Sequence, residues 1–298
     1  MRLSFLLFTL LFTVSCSREP VPEQPVPGEP DVEEPSAPEE APPPVRILAI
    51  GNSFSADAVH QNLWNLFDAA GLEAVVANLY APGSYLSHHW ERAVSQAPEY
   101  KYVKVVEGLE HVQEEVSFDV ALGDEPWDFI SLQQASDKSG LKESYQPYLS
   151  QLVSYIRERR DAEIVFHQTW AYPQHSDQAA FSYYGNDQWT MYQAIMDAVQ
   201  EVVVPAGIER IIPTGTAVQN ARTSYLGDTL NRDGLHLNLE YGRYLAACVW
   251  FETLSGQSVV GNPYHPASIS DKLALLCQTA AHLACQHPYE VTPMTDFH

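Results

Sequence analysis

Basic residues are scarce: 16 Lys and Arg stand against 38 Asp and Glu in 298 residues, a formal charge of −22. So acidic a chain has no basic stripe with which to neutralise a phosphate backbone, and nucleic acid is excluded as an expected partner. Cysteine is scarce as well, with 4 in the chain. Setting Cys16 aside, Cys248, Cys277 and Cys285 form an odd set with no CxxC or Cys/His spacing, so no zinc site is expected. Cys277 and Cys285 are eight apart on a helical pattern, a rise of about 12 Å, too far for a bridge within one helix. Three buried free thiols are expected, with a Cys248 bridge to either partner as the alternative. Long apolar runs are missing too: Leu3 to Val14 makes 12 residues, where a spanning helix needs about 20. There is no internal repeat.

Large apolar side chains, by contrast, are plentiful. Hydrophobic residues make up 45% of the chain, with 16 Tyr and 6 Trp, which is too rich for disorder and enough for one sizeable core. The exception is the front end. Arg2, the apolar run to Val14 and small Ser15 before Cys16 have the order of a signal peptide. Thr13-Val14-Ser15-Cys16 is similar to a bacterial lipobox, in which Cys16 would carry lipid; ordinary secretory cleavage nearby is the alternative. From Ser17 to Val45 come ten Pro and eight acids with almost no large apolar residue, a composition that cannot offset its ordering entropy and reads as a stiff, extended tether. The expected organisation is a leader over 1–16, a tether over 17–45 and a folded domain over 46–298. The chain is expected to be an exported lipoprotein of the outer membrane, on its periplasmic or outer side, anchored at Cys16 rather than integrated.

Within the domain, short apolar runs alternate with amphipathic stretches. Strands are expected at Arg46–Ile50, Ala74–Tyr80, Trp127–Gln133, Glu163–Gln168 and Glu209–Pro213. Helices are expected at Asp57–Ala70, Ser84–Gln96, Leu141–Arg160, Gln188–Val203, Leu239–Ser255 and Ser270–Cys285. Strands buried on both faces and separated by helices predict a three-layer α/β/α sandwich around a parallel sheet of about five strands. Lys101–Val106 and Val112–Val116, split by Glu107-Gly108, predict a β-hairpin inserted at the sheet edge or rim.

Ligands of open α/β sheets collect at the carboxyl ends of the strands. After the first strand comes Gly51-Asn52-Ser53-Phe54-Ser55, where Ser53 can serve as an exposed nucleophile whose own N–H stabilises an oxyanion, or where Ser53 or Ser55 can simply cap the helix. After the third comes Leu132-Gln133-Gln134-Ala135-Ser136, whose amides can donate to an oxyanion or satisfy the loop. Asp233-Gly234-Leu235-His236 lies near the C-terminus, with a spacing that lets a carboxylate orient an imidazole, whose other nitrogen then takes a proton from a serine.

Taken together, GNSFS and DGLH resemble the nucleophile and Asp-x-x-His blocks of the GDSL/SGNH hydrolases, with Asn52 and Phe54 where that family's usual pattern has Asp and Leu. The resemblance covers roughly 46–254, and with the LQQAS stretch it is similar to a branch found in exported lipoproteins of Bacteroidetes type. It implies an SGNH-like fold and a serine ester hydrolase that needs neither cofactor nor metal. Ser53, His236 and Asp233 would be catalytic, and Ser53, Gly83 and Gln133 or Gln134 would form the oxyanion hole. The last of these replaces the Asn of the family's Gly-x-Asn-Asp block. Asn52, His88, His167, Trp170 and Tyr172 are the candidate substrate contacts, with Trp170 and Tyr172 either a platform for sugar or a packed aromatic rim. The expected reaction is removal of short acyl groups, acetyl first, from carbohydrate. A glycan-binding protein that has lost efficient chemistry, and a lipase or thioesterase, are the alternatives.

Overall fold

The computed structural model describes residues 43–298 without a break and, before them, positions 9, 11, 13–15, 17 and 19. Most of the leader, Cys16 and nearly all of the expected tether therefore lie outside the described residues. The chain divides into Met1–Ala41 and Pro42–His298, and the second unit carries the fold.

Its elements run β1 (Val45–Gly51), α1 (Ser53–Val59), α2 (Leu63–Ala69), β2 (Ala74–Tyr80), α3 (Leu86–Ser95), β3 (Tyr100–Val106), β4 (Leu109–Val116), α4 (Phe118–Asp124) and β5 (Phe129–Leu132). They continue with α5 (Tyr148–Arg157), β6 (Glu163–His167), α6 (Gln188–Ala198), β7 (Ile211–Ile212), α7 (Thr214–Arg222), α8 (Tyr241–Ser255) and α9 (Asp271–Gln286). The sheet has seven strands in the order β4-β3-β2-β1-β5-β6-β7. Strands β2, β1, β5, β6 and β7 are mutually parallel, while β3 and β4 add to β2 as an antiparallel hairpin. The hairpin is thus the sheet edge itself, and its outer strand is exposed from Leu109 to Glu115.

Alternation along the central strand sorts the core into two layers. Ile47 and Ala49 point to one side, with residues of α1, α2, α7, α8 and α9, and Leu48 and Ile50 to the other, with residues of α3, α4 and α5. Both faces of the sheet are covered, which is why β1, β2, β5 and β6 read as continuous apolar runs.

The elements depart from the sequence reading where polar side chains or proline intervene. The helix expected over 57–70 is two helices. Between them His60 turns its ring to the Asn78 amide at 2.7 Å, and Asn62 accepts the Tyr264 hydroxyl at 3.0 Å. Strand β7 is only two residues long, because Pro213 has no N–H with which to continue the ladder. The stretch 141–160 is a short turn at Lys142–Ser144 followed by α5, and α6 runs on through a π turn at Val199–Val203. Helix α7 has no counterpart in the pattern, since Thr214-Gly215-Thr216 are poor helix formers and tertiary burial overrides their propensity. Cys248 and Cys277 are buried, Cys285 is half-buried, and all three are unbridged.

Candidate active site

Strand β1 delivers the chain into a tight turn at Gly51, where a Cβ would stand 2.7 Å from Ser55 Oγ and 2.8 Å from the Gln133 amide, so only glycine fits. Asn52 follows in an extended conformation and is the N-cap of α1: its Oδ1 accepts the Phe54 N–H at 3.0 Å. Its Nδ2 donates to Ser84 O at 3.1 Å, fixing the amide between two backbone groups. With the cap taken by Asn52, neither serine is needed for it. Ser55 Oγ lies 2.8 Å from Asn52 O and 3.0 Å from Asn78 Oδ1, buried, and Ser53 is left with its hydroxyl uncommitted at the first helical position.

Ser53 Oγ is 2.9 Å from His236 Nε2, and His236 Nδ1 is 2.9 Å from Asp233 Oδ2. The loop that brings these groups together closes on itself. Asn231 bridges to Leu237 and the Arg232 N–H donates to His236 O at 2.9 Å, while Asp233 Oδ1 accepts the Leu235 and His236 N–H groups at 2.9 and 2.7 Å. Burial works to raise the Asp233 carboxyl, but those two N–H groups and the His236 ring hold it below the ordinary carboxylate range. An ionised carboxylate only accepts, so His236 carries its proton on Nδ1, and the bare Nε2 faces the serine hydroxyl.

What seats this loop on α1 was not visible in the sequence. The buried carboxylate of Asp57, one turn after Ser53, accepts the Leu237 N–H at 2.9 Å and pairs with Arg232 at 3.1 Å and Arg243 at 2.7 Å. Its partners come from 175 to 186 residues away. The only trace in the sequence is an acid placed on the apolar side of an amphipathic helix. Trp170 supports the loop from beneath: its ring stacks on Phe54 at 4.0 Å and its Nε1 donates to Leu235 O at 2.8 Å.

That position overturns the sugar platform and leaves the packed aromatic rim. Trp170 is fully buried, and so is Tyr172, whose hydroxyl bonds Ser136 Oγ at 3.0 Å. Packing against the core and the loop takes both rings out of contact with solvent. His167 is also wholly buried, and burial pushes its ring down to about 3, so it is neutral. Of the expected contacts, His88 stays partly exposed on α3, accepting the Tyr85 N–H at 3.4 Å, while Asn52 is buried beneath Ser53 as the cap.

The two glutamines separate cleanly. Gln134 is spent on the rim: its Nε2 donates to Ser144 O and Oγ, both at 3.0 Å, and its Oε1 accepts the Leu86 and Ala135 N–H groups at 3.2 and 2.9 Å. This excludes Gln134 as an oxyanion donor, because its amide is fully used. Gln133 instead reaches Asn52, donating Nε2–H to Oδ1 at 2.7 Å. Gly83 sits in an exposed turn at φ +61, the left-handed region that favours glycine. Neither the Gly83 nor the Ser53 backbone N–H has a partner among the described residues. A cleft of about 690 Å³ lined by Arg46, Trp64, Glu73 and Val106 opens at the opposite end of the sheet, where β1 and β2 begin.

A family profile described as a domain of unknown function, DUF4886, matches residues 46–284. A crystal structure of a DUF4886 family protein from Bacteroides uniformis ATCC 8492 is 44% identical, with a TM-score of 0.84 over 86% of this chain and 100% of that one. The chain belongs to the DUF4886 family. Further from DUF4886, a putative SGNH hydrolase from Slackia heliotrinireducens is 21% identical over 71% of this chain and 99% of its own, at a TM-score of 0.49. An acetylxylan esterase from Geobacillus stearothermophilus is 12% identical over 70% of this chain and 94% of its own, at 0.47. No match to a curated protein was found. What this DUF4886 chain does is therefore read from its side chains.

Proposed function

We propose that the protein is a serine esterase that removes short acyl groups, acetyl above all, from carbohydrate. The observation that carries the reading is the continuous Ser53–His236–Asp233 hydrogen-bond line, 2.9 Å at each step. In this mechanism His236 Nε2 takes the Ser53 proton as Oγ attacks the ester carbonyl, and Asp233 stabilises the imidazolium that forms. The oxyanion is met by the Ser53 and Gly83 backbone N–H groups and by Gln133, each donor contributing about 3 kcal/mol to lowering the barrier. His236 then protonates the departing sugar oxygen, activates a water and returns its proton to Ser53 as the acid leaves.

The preference for a short acyl group is supported by the openness of the site, where the Asp233 side chain is 45% and that of His236 24% exposed. The carbohydrate half of the substrate rests on the resemblance of the GNSFS and DGLH blocks and on the expected export of the chain. Anchoring through lipid at Cys16 belongs to the same proposal. Labelling of the wild type with an alkyne fatty acid, absent in Cys16→Ala, is its check.

The test is hydrolysis of p-nitrophenyl acetate, butyrate and octanoate by the full chain beside Ser53→Ala and His236→Ala. The reading expects acetate turnover that falls at least 10³-fold in both variants and declines with chain length. Octanoate as the best substrate would favour a lipase or thioesterase. Inert wild type with no labelling of Ser53 by a fluorophosphonate would leave a glycan-binding protein.

A further inference from the structure

Strands β5, β6 and β7 end side by side, and the residues at their carboxyl ends form a buried polar chain behind Ser53. Thr214 Oγ1 lies 3.1 Å from His167 Nε2, His167 Nδ1 lies 3.2 Å from Gln133 Oε1, and Gln133 Nε2 lies 2.7 Å from Asn52 Oδ1. All four residues are 0–2% exposed.

The direction of every bond in this chain follows from its Asn52 end. Asn52 Oδ1 accepts the Phe54 N–H and Asn52 Nδ2 donates to Ser84 O, so its amide cannot flip. The Gln133 atom facing Asn52 Oδ1 is then the amide nitrogen, which turns Oε1 toward His167. An amide oxygen only accepts, so the His167 nitrogen facing it, Nδ1, carries the hydrogen. In a neutral ring Nε2 is left bare, and it accepts a hydrogen bond from the Thr214 hydroxyl. Gln133 Nε2 has two hydrogens and one partner among the described residues, so one N–H remains beside Asn52, next in the chain to the nucleophile.

We infer that His167, which touches no substrate, is a positioning residue: as a fixed Nδ1–H donor it holds the Gln133 amide so that the spare N–H of Gln133 is kept for the oxyanion. This deepens the esterase reading and rests on it. The arrangement explains why a longer glutamine can stand where the resemblance calls for asparagine. The extra methylene adds a rotatable bond, and a donor from β6 is needed to immobilise it. The bond also fixes the tautomer, since a ring protonated on Nε2 alone would set a bare Nδ1 against the Gln133 amide oxygen and lose that bond.

The test is a double-mutant cycle on p-nitrophenyl acetate with the full chain. Gln133→Ala is expected to lower kcat about 10²-fold, and His167→Leu about ten-fold with KM unchanged. The same His167→Leu change in a Gln133→Ala background is expected to cost nothing further. His167→Asn, whose amide nitrogen overlies Nδ1, should restore most of kcat. Nitrogen NMR of the wild-type ring, expected to show Nδ1 protonated and Nε2 bare from pH 5 to 8, needs no variant to fold. An active enzyme in which His167→Leu matches wild type, or in which the two losses multiply, overturns the inference, as does a ring protonated on Nε2. A protein inert on every ester sinks the esterase reading and takes the donor role with it, a result that the wild-type assay alone distinguishes from the others.

Discussion

The carboxylate of Asp57 accepts the backbone N–H of Leu237 at 2.9 Å from the first helix of the domain, 180 residues away in the chain. One turn separates Asp57 from Ser53 on α1, and Leu237 directly follows His236. This bond therefore fixes the distance between a serine and a histidine that share no secondary structure. Arg232 and Arg243 complete the clamp, compensating a charge that is 1% exposed. Without them its burial would cost several kcal/mol.

Asp57→Asn keeps the acceptor for Leu237 and deletes the charge that the two arginines were gathered to meet. Removing one partner of a buried ion pair costs about 3–5 kcal/mol, and with Arg232 29% exposed the lower end applies. Thermal unfolding should show that loss. On p-nitrophenyl acetate kcat should fall about ten-fold while KM stays put, because the loop is displaced relative to Ser53 and nothing is taken from the substrate. Wild-type values in both measurements would show that the clamp does not set the geometry.

At Asp233 a similar change acts by a different route. In Asp233→Asn the amide oxygen can still accept the Leu235 and His236 N–H groups, so the loop should stay folded and unfolding should be nearly unchanged. The amide nitrogen then faces His236 Nδ1, which must give up its proton to accept, and Nε2 is left protonated toward Ser53. A serine confronted by the wrong tautomer loses its base, and kcat should drop by about 10⁴-fold. A loss of less than ten-fold would mean that Asp233 does not set the tautomer.

Acid should unfold the protein through buried histidines other than His236. Burial pushes His89 and His167 down to about 3 and His60 to about 4, with Arg92 adding to the effect at His89 and Arg243 at His60. The unfolded chain protonates the same rings near 6.5, so between about 6.5 and 4 it binds up to three more protons than the fold. Stability therefore rises with pH across that window and levels off above it. Urea midpoints from pH 4 to 8 should trace this curve, and His89→Phe should remove about a third of its slope. Equal midpoints at pH 5 and pH 7 would contradict it.

Periodicity in the sequence revealed the fold where both neighbours of a strand are apolar, and failed where a side chain makes a polar tertiary bond. Strand β2 was legible to the residue because Ala74–Tyr80 is buried nearly throughout. The break between α1 and α2 was not legible, because it depends on Asn78 and Tyr264, partners that periodicity does not name. Ser53, Asp233 and His236 could be read from two short blocks whose chemistry is local. Asp57 could not, since its meaning resides in residues from the far end of the chain. Trp170 and Tyr172 were legible as aromatic, but not as buried: a strand end looks the same in sequence whether the following loop folds outward or back over the core.

Gln134 marks the difference between a residue near the chemistry and one in it. Its amide holds the Leu86 and Ala135 N–H groups and the Ser144 carbonyl, so Gln134→Ala leaves buried donors unmet at about 1–3 kcal/mol. A lower Tm with kcat within a few-fold of wild type is expected, set against the large loss of kcat in Gln133→Ala. If the two variants exchanged these outcomes, the assignment of the amides would be reversed.

Trp170 tests whether aromatic residues at this edge read sugar or hold the loop. Trp170→Phe keeps most of the stack on Phe54 and removes the Nε1–H that Leu235 O accepts at 2.8 Å. Asn231 Nδ2 still donates to the same carbonyl at 3.1 Å, so the loop should loosen without unfolding, at a cost of about 1 kcal/mol. A residue that supports His236 from beneath affects turnover of every ester, because His236 takes the Ser53 proton whichever alcohol is leaving. Turnover of p-nitrophenyl acetate and of an acetylated xylo-oligosaccharide should therefore both fall, with KM for the oligosaccharide unchanged. A residue stacking on sugar would raise KM for the oligosaccharide and spare the nitrophenyl ester. With Trp170 wholly buried beneath the loop, loss of turnover on both esters without a rise in KM for the oligosaccharide is the outcome the geometry requires.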